Sequence, residues 1–206
     1  LQKEGIKVAH VVSSTKFAIK CEEAGVDAIV AEGFEAGGHN GRDETTTFCL
    51  IPNVKNHISK PLIAAGGIAL GSQMKAAMIL GADGVQIGSR FAATVEASAH
   101  NNWKNKIVDL NEGDTHLTLK ELAPVRMVKN KFFHDLENLY ETGRNAEALK
   151  ETLGRARAKK GMFEGDLEEG ELEIGQVSAL IHEILPVEKV FENLLREFRA
   201  SSVVDL

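Results

Sequence analysis

Two glycines followed by a histidine form the stretch whose residue types could do chemistry. Gly37 and Gly38 directly precede His39, a few residues beyond the apolar run 28–30. Because glycine has no Cβ, a chain that leaves a strand through two glycines can bring its backbone against a flat ligand. An imidazole titrates near neutral pH and could serve there as an acid, a base or a hydrogen-bond donor. His39 is therefore the candidate catalytic residue, and an ordinary polar loop residue is the alternative.

Two further apolar runs of the sequence, residues 61–65 and 83–87, also end in glycine. Backbone N–H groups exposed at neighbouring strand ends, with a serine hydroxyl and the start of a helix, form a nest suited to phosphate. We expect a phosphate site between these two strand ends, with His39 entering from the preceding one. Glycines chosen only for tight turns are the alternative. The residues at the two ends are Gly66, Gly67, Gly88 and Ser89.

Alternating strands and helices must position these residues. Residues 25–29 recur as 81–85, and each copy closes a predicted helix and opens a predicted strand. Apolar strands that alternate with helices indicate a parallel sheet, in a (β/α) barrel or a doubly wound sheet, and both carry the ligand site at the carboxyl ends of the strands. The predicted strands are 6–12, 26–31, 61–65 and 83–87, and the predicted helices begin at Ser14 or Thr15, near 51, and at a Ser72 cap.

From about residue 101 the pattern changes to longer helical segments. We predict two units, with 1–100 forming the barrel part and 101–206 a helical segment that packs on it. A glycine-rich acidic loop near 161–175 is interpreted as a lid or a solvated connection. Apolar stripes predict helices around 136–140, 149–153, 177–185 and 190–198.

Composition narrows the classes of partner. The chain has 206 residues, of which 43% are hydrophobic. Its net charge of -6 gives no electrostatic reason to expect nucleic acid. No apolar run approaches the ~20 residues of a membrane span, and no basic and apolar leader is visible. We expect a cytoplasmic protein that acts on a small molecule. Cys21 and Cys49 lack metal-ligand spacing, as do the seven histidines, so we predict no metal site.

Three motifs carry a family resemblance. Residues 32–39, 64–68 and 86–91 resemble the FMN-dependent nitronate monooxygenases, formerly called 2-nitropropane dioxygenases, and equally the related FMN-dependent enoyl-acyl-carrier-protein reductases. The resemblance implies a TIM-like barrel that binds FMN non-covalently at the carboxyl ends of its strands. It also implies that His39 is catalytic. The residues implied to surround FMN are Gly37, Gly38, Gly66, Gly67, Gln86, Gly88 and Ser89.

The resemblance implies two related activities. In the first, an alkyl nitronate is oxidised with oxygen to a carbonyl compound and nitrite. In the alternative, NADH or NADPH reduces the flavin and an enoyl thioester is reduced, and residues 125–131 resemble the arm of the reductases. A remoter alternative is a non-redox phosphate-binding barrel enzyme that uses Glu32 or Glu35, or an inactive fragment.

The length departs from the family pattern. Only four βα units can be counted, whereas the relatives close eight strands, and the family's first strand end has no counterpart. We therefore expect the C-terminal half of a barrel, and a fragment of a longer protein. An open half-barrel leaves two sheet edges exposed, so pairing with another chain, including a second copy in a homo-oligomer, stays an open alternative.

Overall fold

The structure is a computed structural model that describes residues 1–143 and 146–202. A four-stranded parallel sheet forms its first part, which confirms the predicted α/β fold with a parallel sheet. The strand order is β1-β2-β4-β5, so each crossover moves the chain in one direction across the sheet. The strands are β1 (Ala9–Val12), β2 (Ala28–Glu32), β4 (Leu62–Ala65) and β5 (Gly84–Gln86).

Three helices connect the parallel strands. As predicted, Ser14 caps the first helix, because its hydroxyl accepts a hydrogen bond from Phe17 N. The predicted Ser72 cap is wrong. The third helix begins at Gly71 and its N-cap is Leu70, two residues before Ser72. The Gln73 side chain accepts hydrogen bonds from Ala69 N and Leu70 N at 2.8 and 3.0 Å. The helices are α1 (Thr15–Glu23), α2 (Thr47–Lys55) and α3 (Gly71–Ile79).

A second, antiparallel sheet was not predicted. Its order is β3-β7-β6, with β3 (Gly38–His39), β6 (Thr115–Thr118) and β7 (Val125–Val128). The strands have two to four residues, too few for a periodic pattern to stand out. The polar and charged residues within β6 and β7 mask it further. Pairing of β3 with β7 ties the first hundred residues to the rest, and the predicted boundary at residue 100 stays a prediction.

The later part of the chain is mainly helical, as predicted. Apolar stripes around 136–140, 149–153 and 190–198 lie in helices, but the predicted helix over 177–185 is wrong. A short 3₁₀ helix, Gln176–Leu180, ends at an extended Ile181, and Leu185 forms a parallel bridge with Thr94. The helices are α4 (Ser89–Ala92), α5 (Asn101–Val108), α6 (Lys131–Glu141), α7 (Ala146–Leu153), α8 (Arg157–Met162) and α9 (Val187–Ala200).

Three apolar clusters hold these elements together. The first lies between the parallel sheet and its helices and includes the fully buried Ile29 and Ile51. A second surrounds Trp103 and Leu172, and a third packs α6 against β7 around Phe132. Burial of such side chains is worth about 1.5 to 3 kcal/mol each, so the clusters dominate the stability of the fold.

The predicted buried strand over 6–12 is wrong in both length and burial. Strand β1 covers only Ala9–Val12, and three of its four residues are exposed. Val11 is 47% exposed. Among the described residues β1 pairs only with β2, and β5 only with β4, so the sheet has two free edges. The β-branched residues of this run therefore did not indicate burial, because no described element pairs with this edge of the sheet.

The acidic, glycine-rich segment near 161–175 is not a solvated connection. It starts within α8, and Leu172 and Ile174 are buried in the second cluster. Glu173 forms an antiparallel bridge with Met127 of β7. The segment is thus part of the fold and lies beside the carboxyl ends of the parallel strands. No helix in the described ranges has both the length and the apolar character to cross a bilayer.

Candidate active site

A cleft opens at the carboxyl ends of β2, β4 and β5, where the sequence predicted a ligand site. Its volume is about 230 Å³. Six of the eight predicted site residues line it. Those six are Gly37, Gly66, Gly67, Gln86, Gly88 and Ser89.

The floor of the cleft is backbone because side chains would not fit there. Gly66 has φ +84°, and a Cβ at this position would lie 2.6 Å from Gly33 O of the neighbouring strand end. A Cβ on Gly37 would lie 2.4 Å from the carbonyl carbon of Ile174. Both glycines let two segments of main chain touch. The strand ends are therefore closer together than any side chain would allow.

Three residues that line this cleft have backbone donors without a protein partner. Within the described ranges, the backbone N–H groups of Gly67, Gly88 and Ser89 donate to no other protein group. The Ser89 hydroxyl accepts a hydrogen bond from Gly175 N at 3.1 Å, which leaves its own proton free to donate. Several free N–H and O–H donors on residues that line one cleft are a composition that suits a phosphate group.

Hydrogen bonds hold the loop between β2 and β3 against the cleft. The Glu35 carboxylate accepts from Thr47 N, which lies 3.0 Å from each carboxylate oxygen. Glu35 O accepts from Gln176 N at 2.9 Å. Arg126 donates from Nε to Phe34 O at 3.1 Å, with its guanidinium 5.1 Å from the centre of the Phe34 ring. Glu35 is thereby engaged in positioning the loop.

Arg126 is a buried cation that the sequence analysis missed. It lies in β7 and is only 2% exposed. Burial lowers the pKa of Arg126, and the negative charge of Glu35 opposes that shift. Arg126 and Glu35 therefore hold the loop through separate hydrogen bonds. The available signal was a charged residue inside the otherwise apolar run 125–128. Arginine is almost never fully buried unless it is paired, so an arginine at such a position indicates a binding partner inside the fold.

The structure places His39 outside the glycine cleft. His39 lines a neighbouring pocket of about 260 Å³. Within β3 it pairs with Val125 of β7. Gly38 lines neither cavity, although a Cβ on it would lie 2.9 Å from the Glu173 carboxylate. The expectation that His39 enters the cleft from the strand end is wrong in this detail. Pairing with β7 turns the chain, so that of the three residues 37–39 Gly37 lines the cleft and the next two do not.

Two acidic residues join His39 in the neighbouring pocket, and the sequence analysis missed their role. Burial raises the pKa of Glu171 to about 7, the charge of Glu173 adds to the shift, and Arg157 opposes it. Burial also raises the pKa of Glu173, against the charge of His39. Glu173 lines both cavities. The alternation of acidic and apolar residues over 171–174 was a signal for side chains on two opposite faces.

Glu32 lies in the glycine cleft itself. Burial raises the pKa of its carboxyl group. Trp103, Met162 and Val177 add apolar surface to the same walls, so the cleft combines a polar glycine floor with apolar sides. In the described parts of the chain, no three His, Cys, Asp or Glu side chains are grouped to hold a metal ion. The predicted absence of a metal site stays a prediction.

Comparison with known proteins gives one consistent family. The sequence model of the family described as nitronate monooxygenase matches residues 1–197. A probable nitronate monooxygenase of Bacillus subtilis is 34% identical over 205 residues, which is 96% of this chain and 59% of that protein. The chain thus spans well under two thirds of this curated relative.

Two solved structures share the fold. FabK from Thermotoga maritima superimposes with a TM-score of 0.90 at 42% identity, covering 97% of this chain and 63% of that one. A nitroalkane oxidase from Streptomyces ansochromogenes gives a TM-score of 0.79 at 30% identity, covering 97% of this chain and 59% of that one. Both are barrels of the TIM type in their overall architecture. The chain therefore belongs to the nitronate monooxygenase family.

Proposed function

We propose that the glycine cleft binds FMN and that the chain is the cofactor-binding part of an FMN-dependent oxidoreductase. Its proposed reaction is that of a nitronate monooxygenase, in which alkyl nitronates are oxidised with oxygen to carbonyl compounds and nitrite. The observation that carries the proposal is the set of unpartnered N–H groups of Gly67, Gly88 and Ser89 in one cleft. Membership of the nitronate monooxygenase family supports the same cofactor and reaction class.

The cleft fits the phosphate end of such a cofactor. Gly67, Gly88 and Ser89 would donate backbone hydrogen bonds to phosphate oxygens, and the free proton of the Ser89 hydroxyl would add one more. A Cβ on Gly88 would meet no atom within 4 Å, so this position leaves open space for a ligand. Gln86 lies beside it with a side-chain amide that can both donate and accept.

Bound FMN would supply the electron-accepting chemistry of the reaction. The protein's own groups then have to orient the substrate and move one proton. His39 is the proposed group for this step: it would accept the proton on the carbon next to the nitro group of a neutral nitroalkane, or donate a hydrogen bond to the nitro oxygens of a nitronate. Because Glu173 lines both cavities, a substrate reaching from the pocket of His39 towards the cleft would pass this carboxyl group.

A second candidate function is FMN-dependent reduction of an enoyl thioester with NADH or NADPH. The observation that favours it is the identity to FabK, 42%, which exceeds the 30% identity to the nitroalkane oxidase. Anaerobic mixing with NADH distinguishes the candidates. Loss of the flavin absorbance with NADH and consumption of a crotonyl thioester would support the reductase. Oxygen uptake that depends on a nitronate and needs no NADH supports the monooxygenase.

Binding of FMN can be tested through the fluorescence of Trp103, the chain's one tryptophan, which lies in the wall of the cleft. We expect FMN to quench this emission in a saturable titration. Gly88→Val should weaken binding by about tenfold or more, because a larger side chain would fill the space of the ligand. Gly84→Val is the matched control, since its Cβ also meets no atom within 4 Å but Gly84 does not line the cleft.

Two results would contradict the proposed cofactor site. One is a Trp103 emission that FMN leaves unchanged, and the other is an equal loss of affinity in Gly84→Val and Gly88→Val. The role of His39 is tested separately with His39→Asn. This variant should bind FMN like the unaltered chain and lose roughly 10²-fold or more in turnover of neutral nitroalkanes.

A further inference from the structure

His39 and Glu173 lie along the same edge of strand β7, whose other edge pairs with β6. His39 is opposite Val125, and Glu173 forms an antiparallel bridge with Met127, two residues further along β7. Directly opposite residues of an antiparallel pair share one face of the sheet, and so do residues two apart on a strand. The side chains of His39 and Glu173 therefore project from one face, about 7 Å apart along β7.

The carboxyl group of Glu173 lies close to the backbone next to His39. A Cβ on Gly38, the residue before His39, would lie 2.9 Å from a carboxylate oxygen of Glu173, so the absent side chain leaves room for the carboxylate. Both His39 and Glu173 line the same pocket, and their charges attract each other. Among the described residues the Glu173 carboxylate accepts no hydrogen bond and forms no ion pair. Its charge is therefore available to the imidazole.

The other carboxyl group of this pocket is balanced by a different cation. Glu171 is 7% exposed, and burial raises its pKa to about 7, to which the charge of Glu173 adds and which Arg157 opposes. For Glu173, burial raises the pKa and protonated His39 is the charge that opposes the rise. The charges in the pocket therefore pair as Glu171 with Arg157 and Glu173 with His39.

Three further charged groups line the two cavities that Glu173 lines. They are Glu32 and Glu35 on the cleft side and Arg157 of α8. The Glu35 carboxylate accepts from a backbone N–H of α2, and the Arg157 guanidinium donates to backbone carbonyl groups at 2.7 to 3.2 Å. Burial raises the pKa of Glu32, which favours its neutral form. Among the described groups that line these cavities, His39 is thus the cation that remains for Glu173.

The attraction between the two groups acts in both directions. A carboxylate beside His39 favours the imidazolium form by as much as the imidazolium favours the carboxylate. That form arises in the proposed reaction. When a neutral nitroalkane is deprotonated, its C–H bond breaks, the proton bonds to a ring nitrogen of His39, and the electron pair stays on the substrate as the nitronate. An imidazolium can then donate hydrogen bonds to the negatively charged nitro oxygens.

We propose that Glu173 is a positioning residue for His39, whose carboxylate stabilises the imidazolium that forms on proton transfer and that binds the oxygens of a nitronate. The inference rests on the proposed function, because it assigns a partner to the proposed proton acceptor. Glu173 exchanges no proton with the substrate in this scheme. Its effect reaches the reacting carbon through His39.

Titration of the Glu173 carboxyl group by NMR tests the pair without FMN or turnover. The 206-residue chain is labelled with carbon-13 at the glutamate carboxyl groups, and the signal that Glu173→Gln removes is that of Glu173. His39→Asn should raise the pKa of Glu173 by about 0.5 to 1, because it removes a nearby positive charge. His57→Asn is the matched control, since His57 is exposed and lines neither cavity. It should leave the titration unchanged.

The pH profile of turnover tests the consequence in the FMN-loaded protein. Glu173→Gln keeps the size of the side chain and removes its charge. We expect kcat/KM for a neutral nitroalkane to fall about three- to tenfold, with the acid limb of the profile moving to lower pH, because the base is weakened. Glu168→Gln, at an exposed position of the same segment, should change neither. A purely structural role of Glu173 would lower the rate and leave the acid limb in place.

Three results would overturn the inference: a titration of Glu173 that His39→Asn leaves unchanged, an equal change in His57→Asn, or an acid limb that stays in place in Glu173→Gln. Failure of the proposed function looks different. A chain that binds no FMN or turns over no nitroalkane still shows whether His39→Asn moves the titration of Glu173. Conversely, an active enzyme in which that titration stays unchanged would retain the proposed function and lose the pair.

Discussion

At the scale of single residues, the site depends on glycines whose missing side chains let main chain approach main chain. Gly37 packs on the backbone at Ile174, and Gly66 packs on Gly33. Gly88 serves a different purpose, because it borders open space in the cleft. Glycine at these positions thus has two separable roles, packing of the strand ends and access for a ligand.

Alanine substitutions should separate the two roles. Gly37→Ala should lower the free energy of unfolding by about 2 to 4 kcal/mol, because the new Cβ would meet backbone atoms of Ile174 that cannot rotate away. Gly88→Ala should change it by less than about 0.5 kcal/mol. Urea unfolding of both variants measures the difference. Equal stabilities of the two variants would show that the strand ends are not packed as described.

Glu171 predicts a pH dependence of stability. Its pKa in the folded chain, about 7, lies above its ordinary value of 4.5, so folding favours the protonated form. The stabilisation is complete below the unfolded pKa and is lost as pH rises through about 7. Glu171→Gln should therefore exceed the unaltered chain in stability at about pH 8, by about 2 to 3 kcal/mol, and lose this advantage below about pH 4.5.

The measurement is urea unfolding at several pH values. Glu168→Gln changes the same charge at an exposed position and should show no such trend. A difference between Glu171→Gln and the unaltered chain that stays constant across pH would contradict the burial of an ionisable carboxyl group.

At the scale of elements, the residue that caps α6 also helps to hold the segment after α8 beside the site. Asn130 caps α6, since its Oδ1 accepts from Phe133 N at 3.1 Å. Its Nδ2 lies 2.8 Å from both Leu167 O and Gly170 O, so the same residue clamps the turn that leads into Glu171. The cap of a helix and the position of Glu171 are therefore linked through one amide.

Loss of this amide should loosen both. Asn130→Ala should reduce the free energy of unfolding by about 2 kcal/mol, because it removes a helix cap and leaves partly buried carbonyl groups without this donor. Asn138→Ala is the control on the same helix, where the side chain is exposed and makes no hydrogen bond among the described residues. Urea unfolding decides the matter, and equal effects of the two substitutions would refute the clamp.

At the scale of the whole molecule, the parallel sheet ends in two free edges among the described strands. Strand β1 presents Val11 on an exposed face, and Phe17 and Phe48 add further exposed apolar surface. Unpaired strand edges favour association with another chain. We therefore propose that the 206-residue chain pairs with other copies of itself through the edge at β1.

A charge on the edge strand tests this association. Val11→Lys should shift sedimentation towards the monomer by about tenfold in the dissociation constant, since a lysine there must be desolvated on pairing. Val95→Lys is the control, because Val95 is 59% exposed but lies outside both sheets. A chain that sediments as a monomer at all concentrations, or an equal response of both variants, would contradict the proposal.

The sequence by itself determined the features that act over a few neighbouring residues. Apolar runs ending in glycine predicted the ends of β2, β4 and β5, and Ser14 predicted the cap of α1. Six of the eight predicted site residues meet in one cleft for the same reason, since parallel strands bring their carboxyl ends to one edge. The motifs at those ends also carried the family resemblance, which the comparisons confirmed.

Only the tertiary structure decided where His39 and the buried acids lie. His39 pairs with Val125, and Glu173 bridges Met127, so both are placed by β7, far away along the chain. Nothing in the local pattern around residue 39 encodes that partner. Burial of Glu171 likewise comes from elements that are distant from it along the chain. A glycine acts on its own backbone, whereas the surroundings of an ionisable side chain are set by whatever the fold brings against it.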